Sequence, residues 1–386
     1  MKSLLRYGKG RLLAFIGLLL VVVVLLGGCT RTTLAGGGSA AVVDNGTLYI
    51  GSQHGELLVI NAQGGRLWSV TLEQPAQSNF LGCSAAASPV AVYSTPVLDG
   101  DMVYVTGYDG RLRVYREGIE QGRYPAGETA SVGGIVGGLQ LAHGNIYFGT
   151  SKGEVIALDT GNLVAGTGDL VEKWQFDAGE RVWSAPVVAG DTVYVTSMNG
   201  RLYALDADTG VEKWRFEDAE GAIVSSPVIY EGKVYFGSFD RYFYAVNADT
   251  GQLAWRSSLQ AERWFWANPL VLDGTVYAGA MDGRVYVFNA ANGESRAVVD
   301  LGAPLVSAPV LSGDSVIFAT EKGDLWALDT AQYQASEFPA SITGKVHASL
   351  SLSEGVIYIH TQDPDILYSV RADTGVNIWN VPLSSK

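Results

Sequence analysis

The sequence predicts an all-β protein, an eight-bladed β-propeller of four-stranded antiparallel blades, and three observations carry that expectation. A phrase typified by residues 199–214, NGRLYALDADTGVEKW, returns along the 386-residue chain at intervals of about 41 residues. Within each copy a Tyr or Ile flanked by β-branched or small residues recurs at a fixed offset, which is a strand signature. Glycine and tyrosine are abundant, at 48 and 19 residues, and no long helical pattern follows the N-terminus.

Each copy justifies its four strands in turn. Aligning on SAPVVAGDTVYV places one anchor at Ala41, Pro96, Leu139, Pro186, Pro227, Pro269, Pro309 and Leu350, with gaps of 55, 43, 47, 41, 42, 40 and 41 residues. The first and third copies therefore carry insertions. The anchor opens the first strand, and the second centres on Tyr49, Tyr104, Tyr147, Tyr194, Tyr235, Tyr277, Ile317 or Tyr358. A turn follows at Gly55, Gly110, Gly153, Gly200, Gly283 and Gly323, where a positive φ costs only glycine nothing; Arg241 and Pro364 break the rule in copies five and eight. The third strand ends in turns such as ADTG, whose Asp bonds the backbone ahead and whose Gly supplies the left-handed residue. The short fourth strand ends in Trp68, Trp174, Trp214, Trp255 or Trp379, expected to pack between neighbouring blades; copies two, six and seven lack this Trp. One such meander cannot cover both of its faces, whereas eight stacked radially cover one another.

Residues 1–28 read as a secretion signal: Lys2, Arg6, Lys9 and Arg11 precede an apolar run from Leu12 to Leu26, which is short for a membrane span. The following LGGC resembles the lipobox of bacterial lipoproteins. That resemblance implies lipidation of Cys29 as the first mature residue, anchored by more than one acyl chain. The expected organisation is thus a signal peptide over 1–28, a lipidated Cys and flexible tether over 29–40, and the propeller over 41–386. The stretch 30–40, TRTTLAGGGSA, reads equally well as part of the ring closure.

Removing the signal lowers the formal charge from −13 to −17, which argues against nucleic acid or anionic lipid as the main partner. Membrane attachment would rest on the lipid alone. Once Cys29 is acylated only Cys83 remains, so the mature chain has no intramolecular disulfide.

The repeat resembles the PQQ-like β-propeller family, whose phrase YxG…DGxLYALDxxTGxxxW matches residues 41–383 and is specific for the fold rather than the cofactor. A secreted lipoprotein of this length with eight such repeats is most similar to the BamB-like outer-membrane assembly lipoproteins. The resemblance implies a monomeric, non-catalytic scaffold in the cell envelope that docks on a barrel-assembly protein of the BamA kind. On this basis Arg181, in RVWSAP, matches an arginine that the family presents before a strand start. The acids of the following blade are replaced by Ala222 and Val224. Location at the periplasmic face of an outer membrane is implied for a diderm source, and the cell surface otherwise. Two alternatives stay open: an envelope scaffold with a different partner in a bacterium lacking an outer membrane, and a PQQ-binding enzyme or sensor.

No cofactor, metal or catalytic group is expected. Quinone enzymes of the PQQ-like family pair a calcium site with a catalytic Asp and often a vicinal disulfide, and this chain has no adjacent cysteines. DADTG, at 206–210, lacks the further ligands of a calcium loop and reads as a turn. His54, His143, His347 and His360 fall in different copies without metal-ligand spacing. VGGIVGG, at 132–138, reads as a thin inner strand near the axis. The residues leading into each first strand should line one face around the central channel, and they include Tyr93, Arg181, Trp183, Arg263, Trp264, Trp266, Lys345 and His347. Aromatics with Arg are favoured in interface hot spots. Trp183 and Trp266 could instead plug the ring, but Arg181, Arg263 and Lys345 are costly to bury without partners, which favours a contact site.

Overall fold

Period-two apolar segments separated by glycine turns fold here into eight separate four-stranded antiparallel sheets, as the computed structural model of residues 38–74, 88–127, 130–164 and 170–384 shows. The blades span 42–71, 97–124, 140–177, 187–216, 228–256, 270–300, 310–337 and 351–382, each in simple meander order. In blade 4 the strands are Val187–Ala189, Thr192–Thr196, Leu202–Asp206 and Glu212–Phe216. Every first strand is only three residues long, and those of blades 2 to 6 and of blades 7 and 8 sit side by side. Second and third strands are buried on both faces, whereas fourth strands alternate between exposed and covered positions. Cys29, the signal peptide, residues 29–37 of the tether and Cys83 lie outside the described residues.

The blades lock by one recurring contact. Trp174, Trp214, Trp255 and Trp379 each donate the indole N–H to a turn carbonyl of the next blade: Ala207 at 3.0 Å, Ala248 at 3.0 Å, Ala290 at 2.9 Å and Ala62 at 2.8 Å. The second-strand tyrosines share three of these acceptors, Tyr147 on Ala207, Tyr194 on Ala248 and Tyr235 on Ala290. Burial pushes the Tyr235 hydroxyl up to about 12, which keeps it a donor at all ordinary pH. Beneath each indole lies a glycine in the left-handed conformation: Gly210, Gly251, Gly293 and, across the closure, Gly64. Trp68 packs over Gly118 in the same sense.

Where the Trp is missing, other residues supply the bulk, from the following blade at the interfaces after blades 2 and 6 and from the linker after blade 7 at the next. Cross-strand pairing puts Gly122, Ala297 and Ser336 in the Trp position of blades 2, 6 and 7. Leu163, from the turn of blade 3, lies against Gly122. Tyr333 replaces the turn glycine of blade 7, adopts φ 56° and faces Tyr277 at 6.4 Å. In the eighth interface Pro339 of the outer linker rests on Gly375.

The ring closes without strand exchange, since blades 1 and 8 are each continuous in sequence. Arg66 donates to the Leu383 carbonyl at 3.3 Å, and Leu48, Ile50, Leu58 and Ile60 pack with Tyr358, Leu367 and Leu383.

Three expectations need correction. Residues 132–138 form no strand; the first strand of blade 3 begins at Gln140, and Gly137 passes too close to the Ser184 backbone for any side chain. Residues 38–40, expected in the tether, are bonded into the ring, with Ser39 and Ala40 buried. Arg241 is no exception in conformation: its φ of 74° matches the 81° of Gly200 and 84° of Gly283.

Two matched substitutions test the interface. Gly274→Ala, at φ 68° with open space around its Cβ, should cost about 1–2 kcal/mol of backbone strain. Gly293→Ala places its Cβ 2.5 Å from Trp255 and should lose roughly a further 1–3 kcal/mol by overpacking, read as a larger fall in Tm. Trp255→Ala should cost about 3–5 kcal/mol by the same measurement.

Candidate functional site

One end of the propeller gathers the linkers between blades and the turns joining second to third strands, and this linker face carries every predicted contact residue. Each turn anchors the linker beside it through a backbone bond: Met198 N–H to Arg181 O at 2.9 Å, Phe239 to Ala222 at 2.9 Å, Met281 to Trp264 at 2.9 Å and Glu321 to Pro304 at 2.8 Å. The linkers are extended, so their side chains alternate although they form no sheet. Val182, Ser184, Phe265 and Ala267 turn inward, while Arg181 and Trp264 are exposed and Trp183 and Trp266 half-buried.

An Asp or Asn in the turn fixes the linker more firmly. Asp282 accepts the Glu262 backbone N–H at 2.9 Å, the Arg284 N–H at 3.0 Å and the Tyr286 hydroxyl at 2.7 Å, holding the chain immediately before Arg263 and Trp264. Asp240 does the same with Glu220, Tyr242 and Tyr244 at 3.0, 2.9 and 2.7 Å. Asn199 donates to the Ala178 carbonyl at 2.7 Å and to Tyr203 at 2.9 Å. Burial, reinforced by the bond to Asp282, pushes the Tyr286 hydroxyl up to about 12.

The structure does not merge the eight predicted residues into one patch. Trp264 and Trp266 sandwich Phe239, with ring centroids 4.8 and 5.6 Å apart and planes within 27° and 28°. Arg263 adjoins that stack, and Arg181 with Trp183 lies on the linker into blade 4. Tyr93 packs edge-on against Tyr108 at 5.7 Å in blade 2. Lys345 and His347 occupy the linker into blade 8, where His347 sits between Gln362 at 2.9 Å and Glu321 at 3.1 Å. Among the described residues Arg181, Arg263 and Lys345 make no ion pair.

Sequence reasoning missed Phe239, Tyr108, Met198 and Met281, which complete the apolar part of this face. Each stands two residues before the left-handed turn residue, Arg241, Gly110, Gly200 or Gly283, and that offset was the available signal. On the flank of blade 5 an open groove of about 610 Å³ is lined by Asp218, Tyr242, Tyr244, Leu253 and Arg256, with the Arg256 guanidinium 4.4 Å above the Tyr242 ring. Among the described residues no cluster of three His, Cys, Asp or Glu is arranged to hold a metal.

Fold and repeat together define a propeller scaffold of PQQ-like repeats. The chain belongs to the family described as outer membrane protein assembly factor BamB, whose model matches residues 27–162 and 163–381. Among curated relatives, the assembly factor BamB of Nitrosomonas eutropha is 30% identical over 152 residues, 39% of this chain and 31% of that protein. The serine/threonine-protein kinase AfsK of Streptomyces griseus is 33% identical over 182 residues, 45% of this chain and 20% of the kinase. A quinohemoprotein alcohol dehydrogenase of Pseudomonas putida is 29% identical over 145 residues, 34% of this chain and 20% of the enzyme. The chain thus spans a third or less of the length of these relatives. Solved structures share the fold: the computationally designed protein Ika8 has TM-score 0.67 at 17% identity, covering 91% of this chain and 98% of its own. BamB from Moraxella catarrhalis has TM-score 0.64 at 17% identity, covering 84% and 93%.

Replacing Asp282 by Ala should free the linker before Arg263, leave Tyr286 without its acceptor and cost about 1–3 kcal/mol. Hydrogen exchange should rise over residues 259–266 while blade 3 keeps its protection; uniform exchange across both would contradict this anchoring role.

Proposed function

We propose that this protein is a lipid-anchored, non-catalytic scaffold of the cell envelope that holds a partner protein on its linker face, as part of outer-membrane β-barrel assembly. The observation that carries the reading is the aromatic stack of Phe239, Trp264 and Trp266 on anchored backbone, half-buried except for the exposed Trp264, with exposed Arg263 next to it in the chain and exposed Arg181 on another linker of the same face. Trp264 is 46% exposed although its stack with Phe239 is well formed, and a large rigid ring held ready at low entropic cost is what an interface anchor requires. The linker face offers rings and guanidinium groups on fixed backbone, which suits the binding of a partner. Membership of the BamB family supports a barrel-assembly protein of the BamA kind as the partner. The N-terminal segment fits the same reading, with a signal over 1–28, acylation at Cys29 and a tether before the propeller.

Affinity capture after mild cross-linking in the native envelope tests it, run on the wild type and on Trp264→Ala and Arg181→Glu. Truncating a central aromatic anchor typically costs at least 2 kcal/mol of binding, so recovery of the barrel-assembly protein should fall about 30-fold or more with Trp264→Ala. Because both side chains are exposed, Tm should stay within about 2 °C of wild type. Undiminished capture by both variants would remove the linker face from the function; recovery of unrelated envelope proteins instead would remove the assembly role. A Cys29→Ala variant should release the protein from the membrane fraction.

A further inference from the structure

We propose, resting on the acylation of Cys29 proposed above, that the lipid tether turns the linker face toward the membrane. A partner held on that face then meets the propeller from the membrane side, and the opposite end, built of the turns between first and second strands, faces away.

The chain enters the ring on the linker face. Gly38 stands three residues before the anchor Ala41, the register at which Tyr93, Trp183, Trp266 and His347 precede theirs. Its N–H donates to the Val92 carbonyl at 2.6 Å, and the Ser39 N–H donates to Gly51 O at 3.1 Å. The Gly51 N–H returns to Ser39 Oγ at 2.7 Å. From blade 8, Ser351 donates to the Ala41 carbonyl at 2.6 Å. A Cβ on Gly38 would lie 2.8 Å from His360 Cε1 and 3.2 Å from Gln362 Nε2, so this segment is packed as well as bonded. The entry point is part of the ring closure and cannot slide to the other end of the molecule.

Chain length then limits the geometry. Nine steps along the chain separate Cys29 from Gly38. At no more than about 3.6 Å per residue they reach about 32 Å in any conformation. Turning the other end to the membrane would require the same residues to cross a blade, roughly 14 Å for three inter-strand spacings, and then to descend it, roughly 20–25 Å along a strand and its turns. That path exceeds the tether before any side chain is counted.

The charge distribution favours the same orientation. Seven of the eight turns joining first to second strands carry an exposed acid in or beside the turn, Asp273, Asp314 and Glu354 among them, and the eighth carries His143. Arg116 and Lys213 pair with Asp101 and Asp191 of this ring at 2.9 Å each, and among the described residues its other exposed acids make no ion pair. The linker face instead mixes its acids with exposed Arg181, Arg241, Arg263, Lys322 and Lys345. An anionic headgroup surface therefore repels the turn end more than the linker end.

The test places one fluorophore at either end of blade 7, at Lys322→Cys on the linker face or at Asp314→Cys on the turn end, both exposed positions. Each is made in the full-length acylated protein carrying Cys83→Ser, so that the introduced thiol is the one labelled. The protein is inserted from detergent into preformed vesicles of phosphatidylcholine and phosphatidylglycerol with an acceptor dye on the outer headgroups. Energy transfer should set the Lys322 label roughly 20 Å closer to the headgroups than the Asp314 label. Equal distances, or a closer Asp314 label, on protein that floats with the vesicles would overturn the orientation and leave the anchor standing. Protein that fails to float, with no transfer from either label, would overturn the anchor and the orientation together.

Discussion

Each blade depends on its neighbour for a large side chain laid on a small one. An indole buries roughly 150–250 Å² and finds that area only where the next blade offers a glycine turn and a free carbonyl. Because the indole N–H and often a tyrosine hydroxyl converge on that carbonyl, the contact is directional as well as apolar, which fixes the angle between blades. The volume is kept even where the residue types are not. Leu163 against Gly122 and Tyr333 in place of a turn glycine restore the filling from the opposite partner, and Pro339 on Gly375 restores it from the same side as the indole. Close packing explains the exchange, since an unfilled indole-sized void would cost several kcal/mol.

That constraint also shapes the linker face. With blades clamped at their outer strands, the linkers must run extended toward the axis, and their inward side chains are committed to the interfaces. The alternate positions are left outward, and there the sequence is free to vary: Trp264 and Trp266 in one linker, Val306 in another, His347 in a third. Asp240 and Asp282 convert these extended strips into rigid mounts by bonding the backbone on either side of a turn. A scaffold built so can change its partner by changing exposed residues while the ring stays the same.

The relatives illustrate that separation. An assembly factor, two kinases and an alcohol dehydrogenase share stretches of this repeat, because the repeat answers a packing problem rather than a chemical one. Function has to be argued from the face.

The sequence by itself determined the blade count, the four-stranded meander and the turn chemistry, because the strand anchor repeats eight times, the turn glycine six and the Trp offset five, and each is a local signal. It also placed Arg181, Trp183, Arg263, Trp264, Trp266, Tyr93, Lys345 and His347 on one face, since all fall three to six residues before an anchor. Tertiary structure alone decided which of them meet. Phe239 lies 25 residues before Trp264 and 27 before Trp266, in a turn the repeat pattern describes only by its glycine position, so its place in the stack was not legible. The glycine run before Ala41 was ambiguous for the same reason: composition reads it equally well as tether or closure, and Gly38 is small because His360, more than 300 residues away in sequence, fills its space. Local rules specify a blade; only closing the ring brings its first and last residues together.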